Sequence, residues 1–140
     1  MTVPVRFLDA VLERWAPRYA RFALAAAFLS AVAGRFGLWT GQFRWESFDR
    51  FIARTAALNA WAPPFLVPVL AWSATIAETS LAVALIAGVG VRWAAYGAAV
   101  LLAWFATAMV FADGLKSPLD YSVYSASACA LLLALRERRS

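Results

Sequence analysis

The chain has 140 residues, 64% hydrophobic and 15% charged, with a mean hydropathy of +0.69 and a net charge of +5. Soluble domains are about half apolar and a quarter charged, so this composition excludes a soluble enzyme and places the chain in lipid. The basic residues are not gathered on a soluble face with aromatics between them, which counts strongly against a nucleic-acid binder. With no His and a single Cys, Cys129, the chain carries no CxxC pair, no haem axial His and no Cys/His zinc site.

The length suits one domain. In residues 1–20, Phe7, Leu8, Val11, Leu12, Trp15 and Tyr19 fall on one helical face and Arg6, Asp9 and Glu13 on the other. That pattern predicts an amphipathic helix lying at the membrane surface. Residues 22–40 form the first stretch long enough to cross a hydrocarbon core. A signal peptide is its rival, because "LSAVAG" has an A-x-A-like cleavage pattern at Ala31 to Ala33; the expectation is that the segment is retained. In "GQFRWESFDRFIARTAALNAWAPP", Phe48, Phe51, Ile52 and Thr55 recur at helical spacing between Trp45 and Trp61. This predicts a short interfacial helix with aromatic anchors, stopped by Pro63 and Pro64. Further spans are expected at 65–88, 93–112 and 118–135, the second and third joined by the tight turn "GVGVR" and therefore antiparallel neighbours. The fold class that follows is all-α: an integral membrane four-helix bundle with interfacial amphipathic helices.

Eight arginines (Arg6, Arg14, Arg18, Arg21, Arg92, Arg136, Arg138, Arg139) fall on the side of the amino end. Arg35, Arg44, Arg50, Arg54 and Lys116 fall on the other. The excess predicts that both termini are cytoplasmic.

Glu78 is the one ionisable residue in "SATIAETSLAVALIAG" and lies near the bilayer midplane, about 20 Å from one end of its helix and about 15 Å from the other. Its insertion cost, roughly 3 kcal/mol, is offset by the surrounding Leu, Ile and Val. At 100° per residue, Ala71, Ala74, Thr75, Leu81, Ala82 and Leu85 share its face, while Val69, Ile76 and Val83 lie opposite. Small residues permit close packing and bulky aliphatics suit lipid, so Glu78 is expected to face the bundle interior, either neutral or ionised beside a cation. Arg35, within roughly 5 Å of it in depth, is the candidate cation. The alternative, that Arg35 snorkels outward past Thr40, is equally open at this stage. Trp72 or Trp104 completes the expected mid-membrane pocket, in which a quinone head group or small acid could hydrogen-bond.

The fourth span opens with "KSPLDYSVYSASACALLLAL". Ser117 three residues before Asp120, with Pro118 at the first helical position, has the form of a capping box. Asp120 or Tyr121 could alternatively line a substrate mouth. Ser122, Ser125 and Cys129 form a weakly polar stripe of the kind that glues helices together. Tyr121 and Tyr124 could also join Trp39 and Trp61 in an outer aromatic belt.

The run "GLKSPLDYSVYSASACALLLAL", the helix-two Glu followed by "IAGVGVRWAAYGAA", and the basic residue after "AVAG" together resemble the DoxX family of small four-helix bacterial membrane proteins. The resemblance spans roughly residues 22–135 and is carried most specifically by "SPLDYSVYSAS". It implies an inner-membrane bundle linked to quinone-coupled sulfur oxidation or membrane oxidoreductase complexes, with Arg35, Glu78, Arg92, Asp120 and Tyr121 at matching positions. Three functions compete. One is a quinone-interacting or accessory subunit of a membrane oxidoreductase, with a membrane or peripheral redox partner. A second is a structural or assembly protein whose buried pair fixes helix register, in which Glu78→Gln would leave function intact. The third is a small proton-coupled transporter, which needs an oligomer to widen its pathway; Gly37 and Gly41 form one GxxxG for such a contact.

Overall fold

The computed structural model describes residues 4–138, which are helical with no strand among them. Arg139 lies outside the described residues. The helices are α1 (Val5–Arg35), α2 (Trp45–Leu58), α3 (Val67–Ala87), α4 (Val91–Asp113), α5 (Lys116–Asp120) and α6 (Val123–Glu137), with a 3-10 turn at Leu38–Thr40. Among the described residues, α3 and α4 are long and apolar enough to cross a membrane.

The expected surface helix and first span are one element. Nothing in "RYARFALAAAF" breaks a helix, since Ala, Leu and Arg are its best formers, so α1 runs unbroken for 31 residues, about 46 Å. Pro17 lies inside it. A proline has no N–H to give the carbonyl four residues back, which leaves the Glu13 carbonyl without its helical donor. Arg136 of α6 donates to that carbonyl at 3.0 Å, so a long-range contact supplies the bond the proline removed.

The helix stops at Arg35, short of the expected Thr40. Gly37 sits at φ 74°, a left-handed conformation in which a side chain would crowd the Gln42 carbonyl and Ser47 hydroxyl, both 3.0 Å from where its Cβ would be. The chain doubles back there, and the Arg44 amide donates to the Phe36 carbonyl at 2.8 Å. This reversal aims α2 inward. Its apolar face, with Phe48 and Thr55 buried, packs against α1, α3 and α4.

Helices α1, α3, α4 and α6 form a ring in which each touches two neighbours. Its core is Leu24, Ala25 and Phe28 from α1, Ala82 and Leu85 from α3, a run of alanines from α4, and Ala130, Leu133 and Ala134 from α6. Alanine lets the backbones approach closely, which is how helices associate in lipid, where no hydrophobic drive separates helix from solvent. One result is that Ser127 of α6 donates to the Ala99 carbonyl of α4 at 2.7 Å. Of the face expected for Glu78, Ala71, Thr75, Ala82 and Leu85 are buried and Ala74 and Leu81 half-buried, while Val69, Ile76 and Val83 opposite are exposed.

The fourth expected span is interrupted. Helix α5 ends at Asp120, Ser122 takes a left-handed φ of 55°, and α6 restarts at Val123. No side-chain capping bond forms at the start of α5. Asp120 pairs instead with Lys116 one turn back, and the Ser117 hydroxyl points to Asp113 at 3.5 Å. The capping-box expectation is therefore wrong, because α5 begins earlier, at Lys116 with Leu115 before it, and takes Ser117 into its first turn in place of the cap position.

Candidate functional site

Arg35 is the last residue of α1, and the antiparallel packing of α1 on α3 sets it beside the middle of α3. Its Nη1 forms an ion pair with Glu78 Oε2 and donates to the Thr75 hydroxyl at 3.1 Å. Thr75 in turn donates to the Ala71 carbonyl at 2.9 Å, a back-bond that fixes the hydroxyl so that its lone pairs face the guanidinium. Arg35, Thr75 and Glu78 are 9%, 5% and 3% exposed, so the ion pair is shielded from solvent, and Glu78 Oε2 faces the guanidinium without a well-formed hydrogen bond among the described residues. The choice between pairing and snorkelling is settled for pairing: Gly37 turns the chain immediately after Arg35, and the side chain is left facing α3.

Aromatic rings close the cluster. The guanidinium lies 3.9 Å from the Phe51 ring centroid, within the range of a cation–π contact. Beyond it, Phe36 stacks on Phe48 and Phe43 at centroid distances of 5.1 and 5.5 Å, and Trp72 lies 4.4 Å from Phe48. Trp72 thus belongs to the wall of the site but is separated from Arg35 by phenylalanines.

Trp104 does not reach Glu78. It is 60% exposed and lines two apolar grooves. One of about 830 Å³ runs between α2, α3 and α4, bordered by Phe51, Ser73, Ala77, Tyr96 and Trp104. The other, about 690 Å³, is bordered by Trp61, Trp104 and Phe111. Neither Arg35 nor Glu78 lines either groove, and Phe51 stands between the larger one and the ion pair. Of the residues expected to share a pocket, Glu78 and Arg35 are brought together with Trp72 beyond the phenylalanines, while Trp104 lines the neighbouring grooves.

Asp120 and Tyr121 are placed elsewhere. Tyr121 is 76% exposed, and Asp120 is paired with Lys116. Nearby, Arg54 of α2 pairs with Asp113 at the end of α4, its Nη1 donating to Oδ1 at 3.1 Å. Arg92 sits in the first turn of α4 against its neighbour Trp93. Thr75 and Phe51 are the members of the site that sequence reasoning did not single out. Thr75 was visible as a hydroxyl on the Glu78 face, three residues before it; Phe51 was visible only as part of the apolar face of α2.

Residues 13–118 match the family model of methylamine utilisation protein MauE. The match covers well over half of the 140 residues, so the chain belongs to the MauE family, a family of membrane proteins. This overturns the resemblance to the DoxX family. That resemblance leaned on "SPLDYSVYSAS", residues 117–127, nearly all of which lies beyond the matched segment. No curated protein and no solved structure matches the chain.

Proposed function

We propose that this MauE-family protein is an integral inner-membrane helix bundle with both termini cytoplasmic, and that it serves methylamine utilisation as a non-catalytic accessory component beside a redox partner. Helices α3 and α4 span the bilayer, and α6, with α5 ahead of it, crosses beside them. Helix α1 enters the bundle at Arg21, next to Leu85, and ends at Arg35, beside Glu78 near the midplane, and α2 fills the part of that quadrant which α1 leaves empty. Arginine placement supports the orientation. Among the described residues, Arg6, Arg14, Arg18, Arg21, Arg92, Arg136 and Arg138 lie toward the end of the ring that carries the chain's amino end.

The observation that carries the accessory role is the closure of the Arg35–Thr75–Glu78 cluster. Its charges are paired, its hydroxyl is bonded and its cation is roofed by Phe51, which suits it to holding α1 on α3. The lone Cys129 leaves redox work to another molecule. Deletion of the gene in a methylamine-grown host should abolish growth on methylamine and spare growth on succinate, and a stably inserted Glu78→Gln protein should restore it. Unchanged methylamine growth on deletion would refute the role.

A quinone is the second reading, favoured by the 830 Å³ groove, whose aromatic walls and Ser73 and Ser80 hydroxyls suit an apolar ring with carbonyl oxygens. Lipid extraction of protein purified from its own membrane decides this: a quinone present in wild type and lost in Trp104→Ala supports it, and phospholipid alone in both excludes it.

A further inference from the structure

At the end of the ring opposite α2, a third cavity of about 660 Å³ opens between α1 and α6. Its walls carry Arg14, Arg18, Arg21 and Arg136 against a single acid, Glu137, and its floor is Leu132 and Leu135. Two of the arginines are held in place by backbone carbonyls. Arg21 donates from Nε to Leu85 at 2.9 Å and from Nη2 to Ile86 at 3.3 Å, and Arg136 donates to Glu13 at 3.0 Å. A guanidinium has five N–H groups, so these contacts orient the two side chains without consuming their donors. Pro17 lines the same cavity, and its missing amide is the reason Arg136 is drawn across from α6.

Charge is also unevenly distributed along the molecule. The described arginines on this end number seven against three acids, Asp9, Glu13 and Glu137. On the other half, Arg35, Arg44, Arg50, Arg54 and Lys116 are balanced by Glu46, Asp49, Glu78, Asp113 and Asp120. The net charge of the described chain is thus concentrated around the α1–α6 cavity.

We propose that this cavity binds the phosphate headgroup of an anionic phospholipid, with Arg14, Arg18, Arg21 and Arg136 around the phosphate and an acyl chain running along Leu132 and Leu135. Arginine forks match phosphate oxygens in pairs, and a basic recess between helices at the cytoplasmic surface is where anionic headgroups lodge. A free phosphate would use the arginines but not the leucine floor, which leads out toward the hydrocarbon.

The test reconstitutes the full chain in nanodiscs of equal phosphatidylglycerol and phosphatidylcholine, transfers it to gentle detergent, and counts retained lipids by native mass spectrometry. Wild type should keep phosphatidylglycerol in preference to phosphatidylcholine. Arg14→Gln/Arg18→Gln should lose about 30-fold in that retention, from roughly fivefold per surface arginine, while Arg44→Gln/Arg50→Gln, with the same charge removed at the other end, should keep it. Retention by wild type should also fall as salt is raised. Equal retention of the two lipids, equal loss in both variants, or salt-independent retention would overturn the proposal. Displacement by millimolar inorganic phosphate would overturn the lipid assignment, leaving a phosphate site.

Discussion

Replacing Glu78 by Leu leaves the Arg35 guanidinium buried with only the Thr75 hydroxyl and the Phe51 ring for company. Breaking a buried ion pair from one side costs about 3–5 kcal/mol, whereas replacing both partners by apolar residues is often neutral. The two single variants should differ. A stranded carboxyl can neutralise by taking up a proton, but a guanidinium keeps its charge, so Glu78→Leu should cost more than Arg35→Leu. The latter should lose about 2 kcal/mol through the ring contact and the unpaired acid. Arg35→Leu/Glu78→Leu should return to within about 1.5 kcal/mol of wild type, a large favourable coupling. The assay is unfolding in mixed micelles by titration with a denaturing detergent. Tryptophan fluorescence is the readout, and Trp72, 4.4 Å from Phe48, reports on this region. A Glu78→Leu cost under about 1 kcal/mol would show that Arg35 relaxes to the surface when unpaired, and a double variant whose cost is the simple sum of the two would show that the pair does not hold α1 on α3.

Phe51→Ala should remove the roof of the cluster and destabilise by about 2–3 kcal/mol, below the 3–5 typical of a fully buried Phe. In a Cys129→Ala background, a cysteine at position 75 should react with a small permeant maleimide only when Phe51 is also Ala; equal labelling with Phe51 in place would show the cluster open. Gly88→Ala and Gly90→Ala both force a left-handed residue, at about 1–2 kcal/mol each. Gly88→Ala should cost about 1 kcal/mol more, because its Cβ would lie 2.9 Å from Arg21 Nη2 while Gly90 faces open space; equal detergent-unfolding midpoints would remove Arg21 as the cap of α3. Arg136→Gln should destabilise the wild type by about 1 kcal/mol and the Pro17→Ala protein hardly at all, since alanine restores the amide that bonds the Glu13 carbonyl. The same loss in both backgrounds would sink the account of that contact.

Much of the architecture is legible from residue order alone. Composition places the chain in lipid, and the glycines of "GVGVR" make α3 and α4 neighbours. A 100° turn per residue assigns Glu78 to the same face as Ala71, Ala74, Thr75, Leu81, Ala82 and Leu85, of which Ala74 and Leu81 are half-buried and the rest buried. These are local consequences of hydrophobicity and helical period, and no partner chain segment is needed to state them. The capping box at Ser117 is also a local reading, and it fails because α5 starts at Lys116 and takes Ser117 into its first turn. The family resemblance failed in the same region, on residues that lie mostly outside the MauE match.

What the tertiary structure decided concerns groups far apart in sequence. Depth alone left Arg35 within reach of both Glu78 and the surface; the reversal at Gly37 and the return of α2 over it with Phe51 selected the pair. Periodicity identified the apolar face of α2 but not what would cover it, since lipid and protein reward the same residues. Pro17 orphans the Glu13 carbonyl within α1, and Arg136 arrives from the other end of the chain to satisfy it. In each case, sequence specified a donor, an acceptor or an apolar surface, and the packing of distant helices determined its partner, because in a low-dielectric interior the partner nearest in space wins.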